Sequence, residues 1–299
     1  MIGMDIGSGA GVRDELREPA AEAVPGDALF GPGSVTWRVH ADPVFAIGGM
    51  RALIMQALHP LAMAAVDQHH SFEVDFWGRL ERTTQYVSTL TFSPAKDAER
   101  AAARVRGIHR KLRGTDPLTG AEFRLDRPDL LLWVHCCEVD SLLTTARRAG
   151  APISPADADA YLREQVLTAE MVGIPSGSVP ATMTQLQRYF RDVRPQLRLT
   201  DEARRGVKRL AIPPMTKWVK LLTPARPAWA GLAGLAFATQ PKWARRIYRL
   251  PGLPTTDLAA TGALKAIRTG IVALPDKWTG PPHVLQARAQ IEQFQQQAG

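Results

Sequence analysis

The sequence predicts an all-α fold, a single multi-helix domain, on three observations. Apolar residues recur at spacings of three and four along most of the 299-residue chain. Helix-start signals, in which serine, threonine or aspartate precedes a proline or a capping partner, separate those stretches. Neither alternating strand patterns with hairpin turns, nor a βαβ rhythm, nor an internal repeat is found.

Residues 1–32 are rich in Gly, Ala, Glu and Pro and lack periodicity. They read as a flexible N-terminal arm, leaving 33–299 as the helical domain. Within the arm, Asp5-Ile6-Gly7-Ser8-Gly9-Ala10-Gly11 imitates a glycine-rich nucleotide loop. Such a loop needs a preceding buried strand, and only four residues come before it. Helical patterning starts near Ala46 and sets Ala52, Met55, Leu58 (or His59), Ala62 and Val66 on one stripe, which Pro60 should kink or split. A second helix covers 76–92. Ser93-Pro94 starts a third, running to about Arg113, where Gly114 ends it. Asp126-Arg127-Pro128-Asp129 opens a helix that continues to Arg148. Ser154-Pro155 opens another to about Met171, and Thr182 with Gln185 forms a capping box for the next. Further helical segments fall at 201–210, 215–222, 228–238, 241–248, 257–273 and 282–297.

The formal net charge of +8 favours an anionic partner without choosing among nucleic acid, membrane and small ligand. Arg204-Arg205, Lys208-Arg209, Lys217, Lys220, Arg245-Arg246 and Arg249 make the second half cationic. They read as a solvated face, and with no helix-turn-helix or other motif no specific nucleic acid is expected. Cys136 and Cys137 are adjacent, which disfavours a mutual disulfide and offers no zinc spacing; they read as buried thiols. The N-terminal stretch lacks the basic and apolar regions of a secretory signal. The apolar window Pro227–Thr239 is too short to span a bilayer and reads as a core helix. The expected location is cytoplasmic, with transient peripheral contact to an anionic membrane surface.

Among the histidines, His40, His69, His70 and His283 lie in polar contexts and read as surface residues. His59 reads as a core histidine at the Pro60 kink, with a site role as the alternative. His135 shares a face with Leu131, Glu138 and Leu142 in an apolar helix. Carboxylates such as Glu138 and Asp140 need partners in that setting, so the group is either a structural polar network or the lining of a reaction pocket. His109 shares its face with Ala102, Val105 and Leu112 and should point inward. A satisfied core histidine would look the same. Arg106 and Arg113, however, place two cations on that stripe, and they demand buried anions. Few carboxylates lie nearby, whereas haem propionates would supply two, and a neutral imidazole binds haem iron. On the preceding helix, Arg79 and Thr83 lie four apart on one face.

These pieces stand in a telling order: Gly49-x-Arg51-Ala52-Leu53, Gln56-x-x-His59-Pro60, Asp67-Gln68-His69, Trp77-Gly78-Arg79-x-x-Arg82-Thr83, Val105-Arg106-x-x-His109-x-x-x-Arg113 and Leu132-Trp133-Val134-His135. Over roughly 35–275 the chain resembles the haem-b oxygenases of the latex-clearing-protein (rubber oxygenase) and MpaB type. The resemblance implies an all-α fold with one haem b between helices and His109 as proximal iron ligand. Arg79 and Thr83 would lie on the distal side, with Arg106 and Arg113 beside the propionates. His135 matches a further family histidine. Where the family can place an iron-capping lysine this chain has Arg82, which offers no lone pair. Asp67 best matches the family's proposed acidic base, with Glu73 and Asp75 as rivals.

The implied activity is oxygenation of a small apolar, unsaturated terpenoid or lipid-like substrate with dioxygen. Arg79 would stabilise developing oxygen charge, Thr83 would donate a hydrogen bond, and Asp67 would take a proton. Apolar segments around Trp133 and Trp229–Phe237 either line the pocket or form ordinary core. A haem carrier or sensor would present the same ligands, and a basic helical nucleic-acid binder is the third reading. The sequence does not specify the oligomeric state.

Overall fold

A computed structural model describes residues 27–69, 75–218, 223–275 and 279–298. Among them are thirteen α-helices and one two-stranded hairpin, so the fold is all-α as the periodicity predicts. The first helices are α1 (Val35–His40), α2 (Phe45–Gln56), α3 (Pro60–Gln68), α4 (Phe76–Phe92) and α5 (Ala95–Lys111). The hairpin follows, β1 (Arg113–Thr115) with β2 (Glu122–Arg124). Then come α6 (Pro128–Arg148), α7 (Pro155–Val172), α8 (Met183–Val193), α9 (Asp201–Ala211), α10 (Ala225–Ala238), α11 (Lys242–Ile247), α12 (Thr256–Val272) and α13 (Pro282–Ala298).

Helix α6 is the axis of the fold. It is apolar for most of its length, and Trp133, Cys136, Cys137, Val139, Leu142 and Leu143 are buried. The two thiols are free, as read from sequence. Helix α2 lies along α6, and Gly48 lets it come close: a Cβ there would stand 3.2 Å from Leu142 Cα. Polar contacts lock the same seam. Arg51, only 2% exposed, donates to Asp140 and Ser141 on α6 and to the Thr239 carbonyl beyond α10. Helix α10 covers the other flank of α2, and α7 packs on α1, α5 and α6.

Several boundaries follow local chemistry. Pro60 splits its segment, so α2 and α3 meet at 104°. Ser154 and Asp157 complete a capping box at α7, and Gly173 ends that helix at φ 99°. Thr182 caps α8 through the Gln185 N–H, but the Gln185 side chain accepts from Ala181 rather than from Thr182.

Other expectations need correction. Helix α5 stops at Lys111, and Arg113-Gly114-Thr115 forms a strand paired with Glu122–Arg124. Arg113 therefore leaves the stripe that carries Arg106 and His109. A short helix not foreseen, α1, forms because Glu164 on α7 accepts from the Val35 and Thr36 N–H groups. His40 is buried, not surface: its ring bridges Thr91 at 2.7 Å and Tyr161 at 2.9 Å. Burial lowers its pKa to about 3, so it is neutral in the fold. His283 is exposed and His69 half-exposed, whereas His70 lies outside the described residues. His59 is a core histidine against Trp133, as predicted.

The cationic second half is partly inward. Arg245 is 2% exposed and pairs with Asp257 at 3.0 Å, whereas Arg205, which pairs with Asp67, is exposed. Of the arm, residues 1–26 lie outside the described residues. The remainder packs: Phe30 is buried, and Asp27 accepts from the Ala95 N–H. The glycine-rich stretch at 5–11 and the second half of the predicted 215–222 helix likewise fall outside.

Candidate active site

Three helices present one chemically unusual cleft. Helix α4 begins on Asp75, whose carboxylate accepts from the Gly78 N–H, and this cap sets its rotation. It then carries Arg79, Thr83 and Tyr86 at helical spacing on one face. Helix α5 folds back along α4 and carries Arg106 and His109 on the same face as buried Ala102. Across from them α6 carries Val134, His135 and Glu138. Neither α4 nor α5 packs closely on α6 among the described residues, but Glu138 on α6 acts electrostatically on Tyr86 of α4. Val134 is 37% exposed, and His135 and Glu138 are half-buried.

The electrostatics tie the three faces together. His109 is half-buried, and burial lowers its pKa; Asp126 opposes this, and Arg79 on α4 reinforces it. Its Nδ1 is buried, and neither ring nitrogen has a hydrogen-bond partner among the described residues. His135 is pushed down to about 4 by burial. Both imidazoles are therefore neutral lone-pair donors at neutral pH. Burial raises the Tyr86 hydroxyl pKa, with Glu138 adding to the shift and Arg106 opposing it, and that hydroxyl is also buried without a partner. Glu138 is raised to about 7 by burial and has no hydrogen bond or ion pair among the described residues. Buried polar groups are ordinarily satisfied, so unpartnered His109 Nδ1 and Tyr86 Oη mark a place where something else completes the bonding.

Not every predicted site residue joins this cleft. Thr83 shares the α4 face and donates to the Arg79 carbonyl at 2.9 Å. Arg106 donates to the Met171 carbonyl in the last turn of α7, where a cation complements the helix dipole. Arg82 is exposed and pairs with Asp75 at 3.0 Å, close enough to Arg79 for its charge to lower the Arg79 pKa. Arg113, off the helix, donates to the Arg110 and Leu112 carbonyls and faces Glu122 at 3.9 Å. Asp67 is held by Arg205 at 3.0 Å on the α3–α9 seam. Asp75, one rival for its role, is spent on the α4 cap, and Glu73, the other, lies outside the described residues. Tyr86 was missed; its spacing from Arg79 and Thr83 on one amphipathic helix was the available signal.

Glu138 makes a direct prediction. Its carboxyl titrates at about 7 in the fold against an ordinary 4.5. Between those values the unfolded chain has released the proton that the fold keeps, so stability falls as pH rises. Glu138→Gln removes this loss. It should stabilise the protein at pH 8 by about 2–3 kcal/mol in urea unfolding and by clearly less at pH 5. An equal effect at both pH values would mean that the carboxyl is solvated.

Fold and site define a class: an all-α protein with a histidine–arginine–glutamate cleft between a helical hairpin and its central helix. Residues 37–270 match the family model described as ER-bound oxygenase mpaB/B′/Rubber oxygenase, catalytic domain. The chain belongs to this oxygenase family, as the motif order predicts. No curated protein and no solved structure matches it. The family description includes ER-bound members, yet no single helix among the described residues is long and apolar enough to cross a membrane.

Proposed function

We propose that this oxygenase depends on haem b, held in the α4–α5–α6 cleft, and acts on an apolar, unsaturated terpenoid or lipid-like substrate with dioxygen. One observation carries the reading: burial and Arg79 lower the pKa of His109, and its buried Nδ1 is unpartnered on the helix that also carries Arg106. That donor set suits an iron porphyrin. His109 would ligate the metal, and Arg79 and Arg106 would complement the propionates or developing negative charge. His135 would stand across the cleft. When bound, haem would supply the redox and oxygen chemistry.

The chain's own residues would do the rest. Arg79 orients charge from a desolvated position, and Thr83 offers a hydroxyl one turn away. Glu138 takes over the proton role expected of Asp67, because its carboxyl titrates near neutrality and faces the cleft. Val134 and neighbouring apolar side chains would keep water out. The substrate would reach the protein by transient contact with an anionic membrane surface, for which exposed Leu253 and Leu258 beside Arg246 and Arg249 are suited.

Purified protein should give the pyridine haemochrome of haem b at one per chain. Reduced protein should consume oxygen with polyisoprene, terpenes or polyunsaturated lipids. A protein that stays colourless and binds no added haemin would refute the cofactor assignment. Stoichiometric haem without turnover across the panel would instead fit a carrier or sensor.

A further inference from the structure

A second cavity, sharing no residue with the cleft, lies between α9, α10 and the turn after α11. It encloses about 430 Å³, within the range of small-molecule pockets. Its walls are apolar, with Ile54, Val207, Leu210 and Phe237 among them. The hollow exists because α10 offers Ala230, Ala233 and Gly234 where larger side chains would fill the space. A Cβ added at Gly234 would meet nothing within 4 Å. Tyr248 also lines it, but its hydroxyl is committed to the Ile54 carbonyl at 2.6 Å.

The polar character is confined to Arg204 and Lys208, one turn apart on α9. Both are exposed. Arg204 reaches Asp201 only at 3.8 Å, and Lys208 has no ion-pair partner among the described residues. Leu250 completes the lining and is 62% exposed. It is aimed there by a strained turn: Arg249 adopts φ 60°, and the Leu250 N–H returns to the Arg245 carbonyl at 3.0 Å. Leu253, next along the chain, is 74% exposed.

We infer that this hollow binds an amphiphile with an apolar chain and a single anionic head, of the fatty-acid class. The chain would lie along Ala230, Ala233 and Gly234, and the carboxylate would sit between Arg204 and Lys208. A neutral apolar molecule would use the walls but leave both cations idle. A polyanion would find only two cations and a greasy rim.

Isothermal titration of the full chain with dodecanoate and with dodecanol tests this without reference to haem or turnover. Dodecanoate should bind at one per chain. Gly234→Leu should abolish that binding and remain folded, since leucine is the better helix former. Lys208→Met should weaken dodecanoate by about tenfold or more, the value of a charge-assisted hydrogen bond, and leave dodecanol unchanged. Binding should persist in His109→Ala. No saturable binding to the wild-type chain overturns the proposal. So does binding that survives Gly234→Leu, or that His109→Ala removes, because the ligand would then occupy the cleft or the general surface.

Discussion

His109→Ala should yield a folded, colourless protein. The fold should survive because the imidazole supports nothing else: neither ring nitrogen has a protein partner among the described residues, and Ala102, not His109, carries the buried part of that face. Loss of the ring removes the one neutral lone pair that stands beside Arg106 and Arg79. Haem retention and oxygen uptake should both fall to background, measured by the Soret band after haemin titration and by an oxygen electrode. His109→Gly should regain the band when imidazole is added, which a merely structural role would not produce. His135→Ala provides the other half of the test. It removes the other neutral histidine, on α6, and should leave the band in place while changing its position. An unchanged Soret band in His109→Ala would assign the iron to another residue.

Much of this site was legible because its elements are announced locally. Pro128 opens α6, so the helix bearing His135 and Glu138 is announced locally; the helix bearing Arg79 and Thr83 is placed only roughly by its pattern, without its Asp75 cap. Glu138 stood out as a carboxyl in an apolar helix, an anomaly readable without coordinates. What failed depended on residues far away in sequence. Asp67 looked free until Arg205, on α9, came to it. His40 looked like a surface residue until Thr91 and Tyr161 closed on both ring nitrogens. Helix α1 is six residues long and exists because Glu164 from α7 takes its first N–H groups. Arg113 kept helical spacing to His109, yet Gly114 packs under Phe123 in a hairpin and the helix ends before it. Spacing reports a face only while the helix lasts.

The largest stability effect is expected at Arg51, on the opposite side of α6 from the cleft. Its Nη1 donates to Asp140 Oδ2 and Ser141 Oγ, both at 2.7 Å, and its Nε donates to the Thr239 carbonyl at 3.1 Å. Its own carbonyl accepts from Gln240 Nε2 at 2.7 Å. One side chain, 2% exposed, thus joins α2, α6 and the end of α10. Arg51→Ala strands the Asp140 carboxylate and leaves the Thr239 carbonyl with only the long bond from Arg148 Nη1 at 3.4 Å. Breaking a buried pair in this way costs about 3–5 kcal/mol, a third or more of the stability of a typical domain. Arg51→Lys should rescue little, because one ammonium cannot reproduce the fork that reaches Asp140 and Thr239 at once. Arg51→Met combined with Asp140→Leu should recover most of the loss, since no charge is then left unpaired. Urea unfolding of the four proteins measures this directly. A loss below about 1 kcal/mol in Arg51→Ala would place the pair among the weak surface bridges. The consequence reaches the candidate site: Asp140 and Glu138 lie two residues apart on α6, one paired with Arg51 of α2 and the other acting on Tyr86 of α4. The clasp that holds the first sets the position of the second.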